Sequence, residues 1–453
     1  MKTIFIPISQ ALEAKNMLRT KVLANLLKDK DTRLVFLMAN QVRIDYYKKE
    51  FNGPRMHYEV ADFTKKRGKN LENLFSKLKY LLLRTETTDL RRRMKFEENG
   101  GRLSYLANLA FNRIFARSFI RRIVRVLDYA LIRNNNFKAI FEKYKPDVVL
   151  LANLFDDPEI HILREAKKRG IKTIGFANTW DKVTARCIWR LLPDTAIVYN
   201  DILKQEMAEH NEMYPDNIFV SGIPQYDLYF REKPASRELF FDSIGIEPRK
   251  KLLVYAPNGK YSSGSDGSMI DLLHSLIGGG VFGNSEMLVR FQPNDSVDKK
   301  ELANRPWLKY QIPGIRFETS RGGDWDMNSE DIRTLLNTLF HADLFICHTS
   351  SLSVDAAVFD KPVINMKFDL GNISQDAFNT RFYRMTHYKR AIDSGGIRVV
   401  NNEQELVDWA KKYLNNPRTD EEGRARLTRE QVQFFDGKSG ERIGDFILKA
   451  LNS

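Results

Sequence analysis

At 453 residues, 43% of them hydrophobic and 29% charged, the chain has the length and the apolar content for two or three domains with full cores, which excludes an intrinsically disordered protein. No run approaches the ~18 apolar residues of a membrane-spanning helix. Two cysteines, Cys187 and Cys347, make neither a disulfide framework nor a metal quartet, as expected of a reducing compartment such as the cytoplasm. The net charge of +14 calls for a negative partner: nucleic acid, an anionic membrane surface or a phosphorylated substrate.

The chain opens on an apolar run, Thr3 to Ile8, cut by Pro7 and followed by an amphipathic pattern, which reads as a first strand and not as a signal peptide. Residues 2–8, 33–39, 147–152 and 172–177 each end in loop residues and are separated by helical patterns, the alternation that builds a parallel sheet; 195–199 and 218–221 continue it. Residues 12–27 supply the first crossover helix, and 159–169, stopped by Gly170, a later one. Residues 1–230 are therefore expected to form one doubly wound, Rossmann-like α/β domain.

An insert at about residues 65–145 interrupts that domain; it is basic, helix-prone and without strand signals. Its arginines, among them Arg91, Arg92, Arg93, Arg113, Arg117, Arg121, Arg122 and Arg125, interleave with Leu103, Leu106, Phe111, Ile114, Phe115, Phe119, Ile120 and Val124. Two accounts fit. The apolar stripe packs on the domain and the arginines are solvated, or a basic face beside a Phe-rich face lies on an anionic membrane, where each surface cation contributes ~1 kcal/mol. The packed stripe is the expectation for the apolar residues, with the membrane or another polyanion left as the partner of the excess charge.

Residues 231–435 restart the alternation, with strands expected at 251–256, 287–291, 314–318, 344–347, 363–365 and 397–400, and helices at 269–276, 330–340, 352–359 and 403–414. A second Rossmann-like domain is thus expected, facing the first across a cleft, with residues 436–453 as a closing helix that crosses back. Ligands of open α/β sheets bind outside the strands' carboxyl ends. In residues 342–366 the order is strand, loop, helix, strand, and His348, Thr349, Ser350 and Ser351 occupy the loop. Hydroxyls and free N–H groups at a helix start suit a phosphate or pyrophosphate, although Ser350 also serves as an ordinary helix cap. Two further loops, Pro257-Asn258-Gly259-Lys260-Tyr261-Ser262-Ser263 and Gln292-Pro293-Asn294, belong to the same sheet edge, and Arg290 leads into the second. The cluster reading puts all three loops and Arg290 on one anion; the plainer one makes Asn258-Gly259 an ordinary turn and Arg290 a surface residue.

Three series then carry a resemblance: Gly222-Ile223-Pro224-Gln225-Tyr226-Asp227; His348-Thr349-Ser350-Ser351 with Asp355 and Lys361-Pro362-Val363-Ile364; and Asp436-Gly437-Lys438-Ser439-Gly440-Glu441-Arg442-Ile443. In this order they resemble the two-Rossmann-domain (GT-B) transferases, nearest to the CDP-glycerol glycerophosphotransferase-like and surface-carbohydrate transferase families. Trp180-Asp181-Lys182-Val183-Thr184 is similar to a Trp-Asp-Asn motif of surface-carbohydrate members, with Lys182 as the departure. The resemblance implies that Ser350 and Ser351 touch the donor phosphate, and it places Asp355 in the donor site. Where those families carry a His-Pro pair this chain has Gln292-Pro293, and Gln donates hydrogen bonds but carries no charge.

A base for the acceptor hydroxyl is expected in the first domain at a strand's carboxyl end. Asp156 and Asp157 qualify, with the alternative that they cap a helix before Pro158; Asp181 is the first choice, and His387 of the second domain is a further candidate. Asp324-Trp325-Asp326 has the D-x-D spacing of metal-binding transferases, but solvated loop carboxylates are the plainer account, so neither a metal nor another cofactor is expected. The expected activity is transfer of a glycosyl or polyol-phosphate group from a nucleotide-activated donor to a lipid-linked or glycan acceptor in surface polysaccharide biosynthesis, in the cytoplasm at the inner membrane face. A nucleotide-sugar 2-epimerase and a basic membrane- or polyanion-binding protein without catalysis are the alternatives. No RNA platform or zinc knuckle is present, so nucleic acid is not an expected partner.

Overall fold

Short aliphatic runs buried on both faces build one parallel sheet in each half of the chain, as expected of strands covered by crossover helices. The structure, a computed structural model, describes residues 1–63, 70–259, 266–295, 297–317, 325–370 and 380–453. It divides into unit 1, residues 1–230 with 434–453, and unit 2, residues 231–433.

Unit 1 contains β1 (Lys2–Ile8), β2 (Thr32–Met38), β3 (Met56–Val60), β4 (Val148–Leu151), β5 (Lys172–Phe176), β6 (Thr195–Val198) and β7 (Ile218–Val220). They pair in parallel in the order β3-β2-β1-β4-β5-β6-β7. The chain runs outward from β1 to β3 and returns beside β1 as β4, so the topological switch point lies between β1 and β4. The edge strand β3 was not expected, because Met56-His57-Tyr58-Glu59-Val60 lacks the apolar run of its neighbours and is mostly half-buried. The single helix expected at 12–27 is two helices, Ala11–Met17 and Lys21–Leu26. Thr20 divides them: its backbone is extended, and its hydroxyl accepts from the Val22 N–H at 3.3 Å and donates to the Asn16 carbonyl at 2.6 Å.

The closing helix, Ser439–Asn452, belongs to unit 1. Asp227 is buried and accepts the Ser439 and Gly440 N–H groups at 2.8 and 2.7 Å, supplying the cap that Lys438 does not. Arg442 donates to the Ser221 carbonyl at 2.8 Å. Gly222 has φ +87°, and a Cβ there would lie 2.4 Å from Ser439 Oγ. Two of the three series behind the family resemblance are thus the two sides of one structural clasp. The closing helix expected at 436–453 starts at Ser439.

Unit 2 contains β8 (Lys251–Ala256), β9 (Ser285–Arg290), β10 (Lys309–Gln311), β11 (Ile315–Arg316), β12 (Trp325–Asp326), β13 (Leu344–Cys347), β14 (Val363–Met366) and β15 (Arg398–Val400). Its parallel sheet has the order β10-β9-β8-β13-β14-β15, with the switch point between β8 and β13. The strand expected at 314–318 is not part of it: β10 takes the edge beside β9, and β11 pairs antiparallel with β12. Residues from Leu253, Tyr255, Val289, Ile346 and Ile364 to Leu406 and Tyr413 form the core on one side of the sheet.

Between β3 and β4 lie the helices Asn70–Leu81, Glu86–Asn99, Arg102–Phe115, Ser118–Leu131 and Lys138–Tyr144. They overturn the packed-stripe expectation for Leu103, Leu106, Ile114, Phe115 and Phe119, which are exposed, while Arg121 and Arg125 are buried against Glu212. Phe111, Ile120 and Val124 are the part of the stripe that packs inward, on Leu82, Leu83 and Ile188. A buried ion network attaches the insert to the sheet. Arg164 donates to Asp128 at 2.6 Å, Arg190 to Asp128 at 2.7 Å and Glu72 at 2.6 Å, and Lys79 to Asp157 at 2.8 Å.

Candidate functional site

At the switch point of unit 2 the loop after β13 is fixed from below. His348, 3% exposed, donates from Nδ1 to the Met366 carbonyl at 3.0 Å, and burial pushes its pKa down, so the ring is neutral. Ser350 accepts the Leu352 N–H on its own hydroxyl at 3.2 Å, the cap that the plainer account expected. Its backbone N–H donates to Tyr388 Oη at 3.0 Å, and that hydroxyl donates to Asn365 Oδ1 at 2.6 Å. Asn365 in turn reaches Ser353 Oγ at 3.2 Å and Cys347 Sγ at 3.1 Å. The side chains of half-buried Thr349 and exposed Ser351 are left on the accessible side of this braced loop. Asp355 is buried in the following helix, Leu352–Val358. His387 is half-buried, next to Tyr388 in the helix Thr386–Asp393.

In the described parts of the two neighbouring loops, donors are used locally. The Asn258 and Gly259 N–H groups go to the Asp266 carboxylate at 3.2 and 2.9 Å, and burial lifts Asp266 to about 6 despite these bonds. Gln292 Nε2 donates to the Pro257 and Asn258 carbonyls at 3.3 and 3.0 Å. Gln292, Asn258 and Gly259 are therefore the internal bracing of the β8 and β9 loops, which corrects the expectation that they offer free donors to an anion. Gly259, at φ +85°, is the turn the plainer account named. Asn294 is half-buried in the β9 loop.

Arg290 is also corrected. It ends β9, separated from β13 by β8, and its buried guanidinium donates to Gln311 on β10 at 2.5 Å, on the side away from Ser350. Lys260, Tyr261, Ser262, Ser263 and Asp324 lie outside the described residues, and Asp326 is buried in β12. Among the described residues no three His, Cys, Asp or Glu side chains are grouped to hold a metal ion.

Unit 1 carries a second polar cluster at its own switch point, built by the loops after β1, β4 and β5. Asn153 is its centre: its N–H donates to Glu159 at 2.8 Å, its Nδ2 to Asp156 at 2.8 Å, and its Oδ1 accepts from Lys182 at 3.2 Å. Lys182 also donates to Asn178 Oδ1 at 2.9 Å, and burial lowers its pKa. Glu13 and Glu159 are fully buried and both are raised, Glu13 by burial and Glu159 by burial and then by the charge of Glu13. Asp181 is half-buried at the start of the helix Lys182–Ala185, yet its side chain does not cap that helix. Its charge acts on Lys182, Arg91 and Tyr199.

Asp156 is the residue before the helix Asp157–Lys168, and its carboxylate is taken by Arg186, Gln10 and Asn153. Asp157 does not fit a catalytic base. Burial would raise it, but Lys79, Arg190 and the Ser76 hydroxyl outweigh that and hold it down to about 2, so it is a weak proton acceptor fixed in the ion network. Sequence reasoning missed Gln10, Glu13, Asn153 and Asn178 here, and Asn365 and Tyr388 in unit 2. Position was the signal for the first four: each stands within a few residues of the carboxyl end of β1, β4 or β5.

Residues 322–449, which include the β13 loop and its bracing residues, match the model of the family described as CDP-Glycerol:Poly(glycerophosphate) glycerophosphotransferase. Two curated proteins of Staphylococcus aureus (strain NCTC 8325 / PS 47) are similar. The teichoic acid ribitol-phosphate polymerase TarL is 25% identical over 231 residues, 50% of this chain and 36% of that protein. TarK, of the same description, is 25% identical over 244 residues, 52% of this chain and 41% of that protein. The chain thus spans well under half the length of these relatives. Among solved structures, the S. aureus MnaA–UDP co-structure matches with TM-score 0.54 and 13% identity over 100% of this chain and 97% of that one. The UDP-GlcNAc 2-epimerase of Methanocaldococcus jannaschii matches with TM-score 0.54 and 13% identity over 99% and 100%; at such identity the likeness is one of fold. The chain is a GT-B-fold protein, and it resembles the CDP-glycerol glycerophosphotransferase-like family.

Proposed function

We propose that the chain is a transferase that moves a glycosyl or polyol-phosphate group from a nucleotide-activated donor to a hydroxyl of a lipid-linked or glycan acceptor during surface polymer biosynthesis. The observation that carries this reading is the family match over residues 322–449, which contains the braced β13 loop at the switch point of unit 2. Thr349 and Ser351 take the donor phosphates on that loop, and His348, Tyr388 and Asn365 hold it in shape so that little reorganisation is needed as charge develops on the leaving nucleotide. Asp181 of unit 1 takes the acceptor hydroxyl's proton; the oxygen bonds to the transferred group and the nucleotide leaves with the electron pair of the broken bond. The reading includes a cytoplasmic enzyme working peripherally at the inner face of a membrane.

The structural neighbours that are 2-epimerases supply a second reading on the same fold. Incubation with CDP-, UDP- and GDP-linked donors, with and without a hydroxyl acceptor, separates the two by product analysis. Nucleotide release that requires the acceptor supports transfer. An isomerised nucleotide sugar formed without acceptor overturns it.

A further inference from the structure

The helix Ser118–Leu131 is amphipathic with its polarity inverted. Arg121, Arg125 and Asp128, at spacings of four and three, are 7%, 7% and 1% exposed. The opposite face carries Phe119, Ile123, Val126, Leu127 and Leu131, between 45% and 67% exposed. Arg121 and Arg125 turn inward to Glu212, Arg125 also donates to the Trp189 carbonyl at 3.0 Å, and Asp128 binds Arg164 and Arg190. The preceding helix, Arg102–Phe115, repeats the inversion. Asn112 is buried and donates to the Leu81 and Leu83 carbonyls at 2.6 and 3.0 Å, while Leu103, Leu106 and Ile114 are 85%, 48% and 57% exposed.

Consecutive helices with their polar side inward turn at least eight large apolar side chains outward, more than the single scattered ones that need no explanation. The charge around them identifies the occupant. Between residues 102 and 133 the sequence has one acid, Asp128, and that residue is buried, whereas Arg102, Arg117, Arg122 and Arg133 are exposed around the apolar residues and Arg113 is paired with Asp89 at 2.6 Å. Past Val126 and Tyr129 the surface runs into an open groove of about 600 Å³, lined also by Leu191, Leu192 and Lys172 and by Lys167 paired with Asp194 at 3.4 Å. A second copy of this chain would bring arginine against arginine, but an anionic bilayer offers hydrocarbon to the apolar residues and phosphate to the guanidinium groups.

We propose that unit 1 docks on an anionic lipid bilayer through the outer faces of the helices Arg102–Phe115 and Ser118–Leu131. The proposal rests on the peripheral placement given above, not on the reaction. The full chain is to be sedimented with vesicles of phosphatidylcholine with and without phosphatidylglycerol, at low and high salt. The parent is expected to bind the anionic vesicles and to be released by salt. Ile123→Glu with Val126→Glu, both at exposed positions that leave the melting temperature unchanged, should cut partitioning more than tenfold. Arg117→Gln, Arg122→Gln and Arg133→Gln should each weaken it about fivefold. A parent that ignores anionic vesicles, or a double-glutamate variant that partitions like the parent, overturns the proposal; so does a concentration-dependent dimer that the same glutamates dissolve, which would make this a face between copies. Turnover on a water-soluble acceptor without vesicles reports the transferase reading separately: vesicle binding without turnover sinks that reading and keeps this one, and turnover without vesicle binding does the reverse.

Discussion

Replacing Asp157 by Asn should unfold the protein more easily without touching its chemistry. The carboxylate binds Lys79 at 2.8 Å, Ser76 at 2.9 Å and Arg190 at 3.2 Å, and the Lys79 side chain is 2% exposed. A carboxyl that ordinarily titrates at 3.8 is held at about 2, and at 1.36 kcal/mol per factor of ten in acidity this is roughly 2.5 kcal/mol in favour of the charged form. The amide keeps the shape, and its Oδ1 can still accept from Lys79 beside the Phe155 carbonyl at 2.9 Å, but the negative charge that compensates the buried ammonium is gone. Removing one partner of a fully buried pair costs ~3–5 kcal/mol, and Asp157, 19% exposed, belongs toward the lower end. A loss of about 2–4 kcal/mol is expected, or roughly 5–15 °C in melting temperature. Denaturant and thermal melts measure it, with turnover assayed at a temperature where the variant is folded. A loss below ~0.5 kcal/mol, at the level of an ordinary surface substitution, would refute the structural assignment. So would a collapse of turnover at parental stability, which would return Asp157 to the list of bases. The pH sign follows from the depressed pKa: the contribution is fully present above about 4 and fades as the pH falls toward 2.

Asp181→Asn should lower turnover ~10²–10⁴-fold while donor affinity, read by nucleotide-induced thermal shift, stays parental; near-parental turnover would remove Asp181 as the base. Tyr388→Phe deletes the hydroxyl that joins the Ser350 N–H to Asn365, so stability should fall by about 1–3 kcal/mol, since a buried N–H and amide lose their partner, and donor affinity should fall as the loop loses its brace. Unchanged binding would separate the bracing network from the donor site. Asp266 gives the opposite pH sign to Asp157. Its carboxyl is raised from 3.8 to about 6, so the folded state holds its proton more tightly than the unfolded state does, and stability should fall by up to ~3 kcal/mol as the pH rises from about 4 to 6. Asp266→Asn should flatten that slope, and an unaltered slope would contradict it.

Strand positions in both units were readable because central parallel strands are continuous apolar runs: Val148-Val149-Leu150-Leu151 and Leu344-Phe345-Ile346-Cys347 are entirely buried. Edge strands divided: 218–221 and 397–400 were placed, but Met56–Val60 and Lys309–Gln311 are held by pairing on one side and lack an apolar run, so a local pattern passed over both. The loops at the strand ends could be located from the same alternation, and Asn258, Gln292 and Ser350 do stand at the carboxyl ends of the expected strands. What their donors do could not be read, because Asp266, Pro257 and Tyr388 meet them only once the chain has folded. The same holds for Asp157, whose neighbour in sequence is a proline but whose partners are Lys79 and Arg190.

The insert separates what periodicity can decide from what it cannot. A 3.6-residue period identifies two faces of a helix but does not say which of them points inward. In Ser118–Leu131 the inward face carries charges of both signs, Arg121, Arg125 and Asp128, so the helix can bury them only where a complementary set waits. Glu212, Arg164 and Arg190 provide it. A buried arginine without a carboxylate would cost several kcal/mol, so these pairs fix the helix's rotation: once Arg121 and Arg125 reach Glu212, Phe119, Ile123 and Val126 have no direction left but outward. Mixed signs on one face are equally ordinary on a solvated, salt-bridged helix, so the sequence alone could not signal this outcome. The inverted helix follows from the ion network that anchors the insert, and the apolar surface follows from the inverted helix.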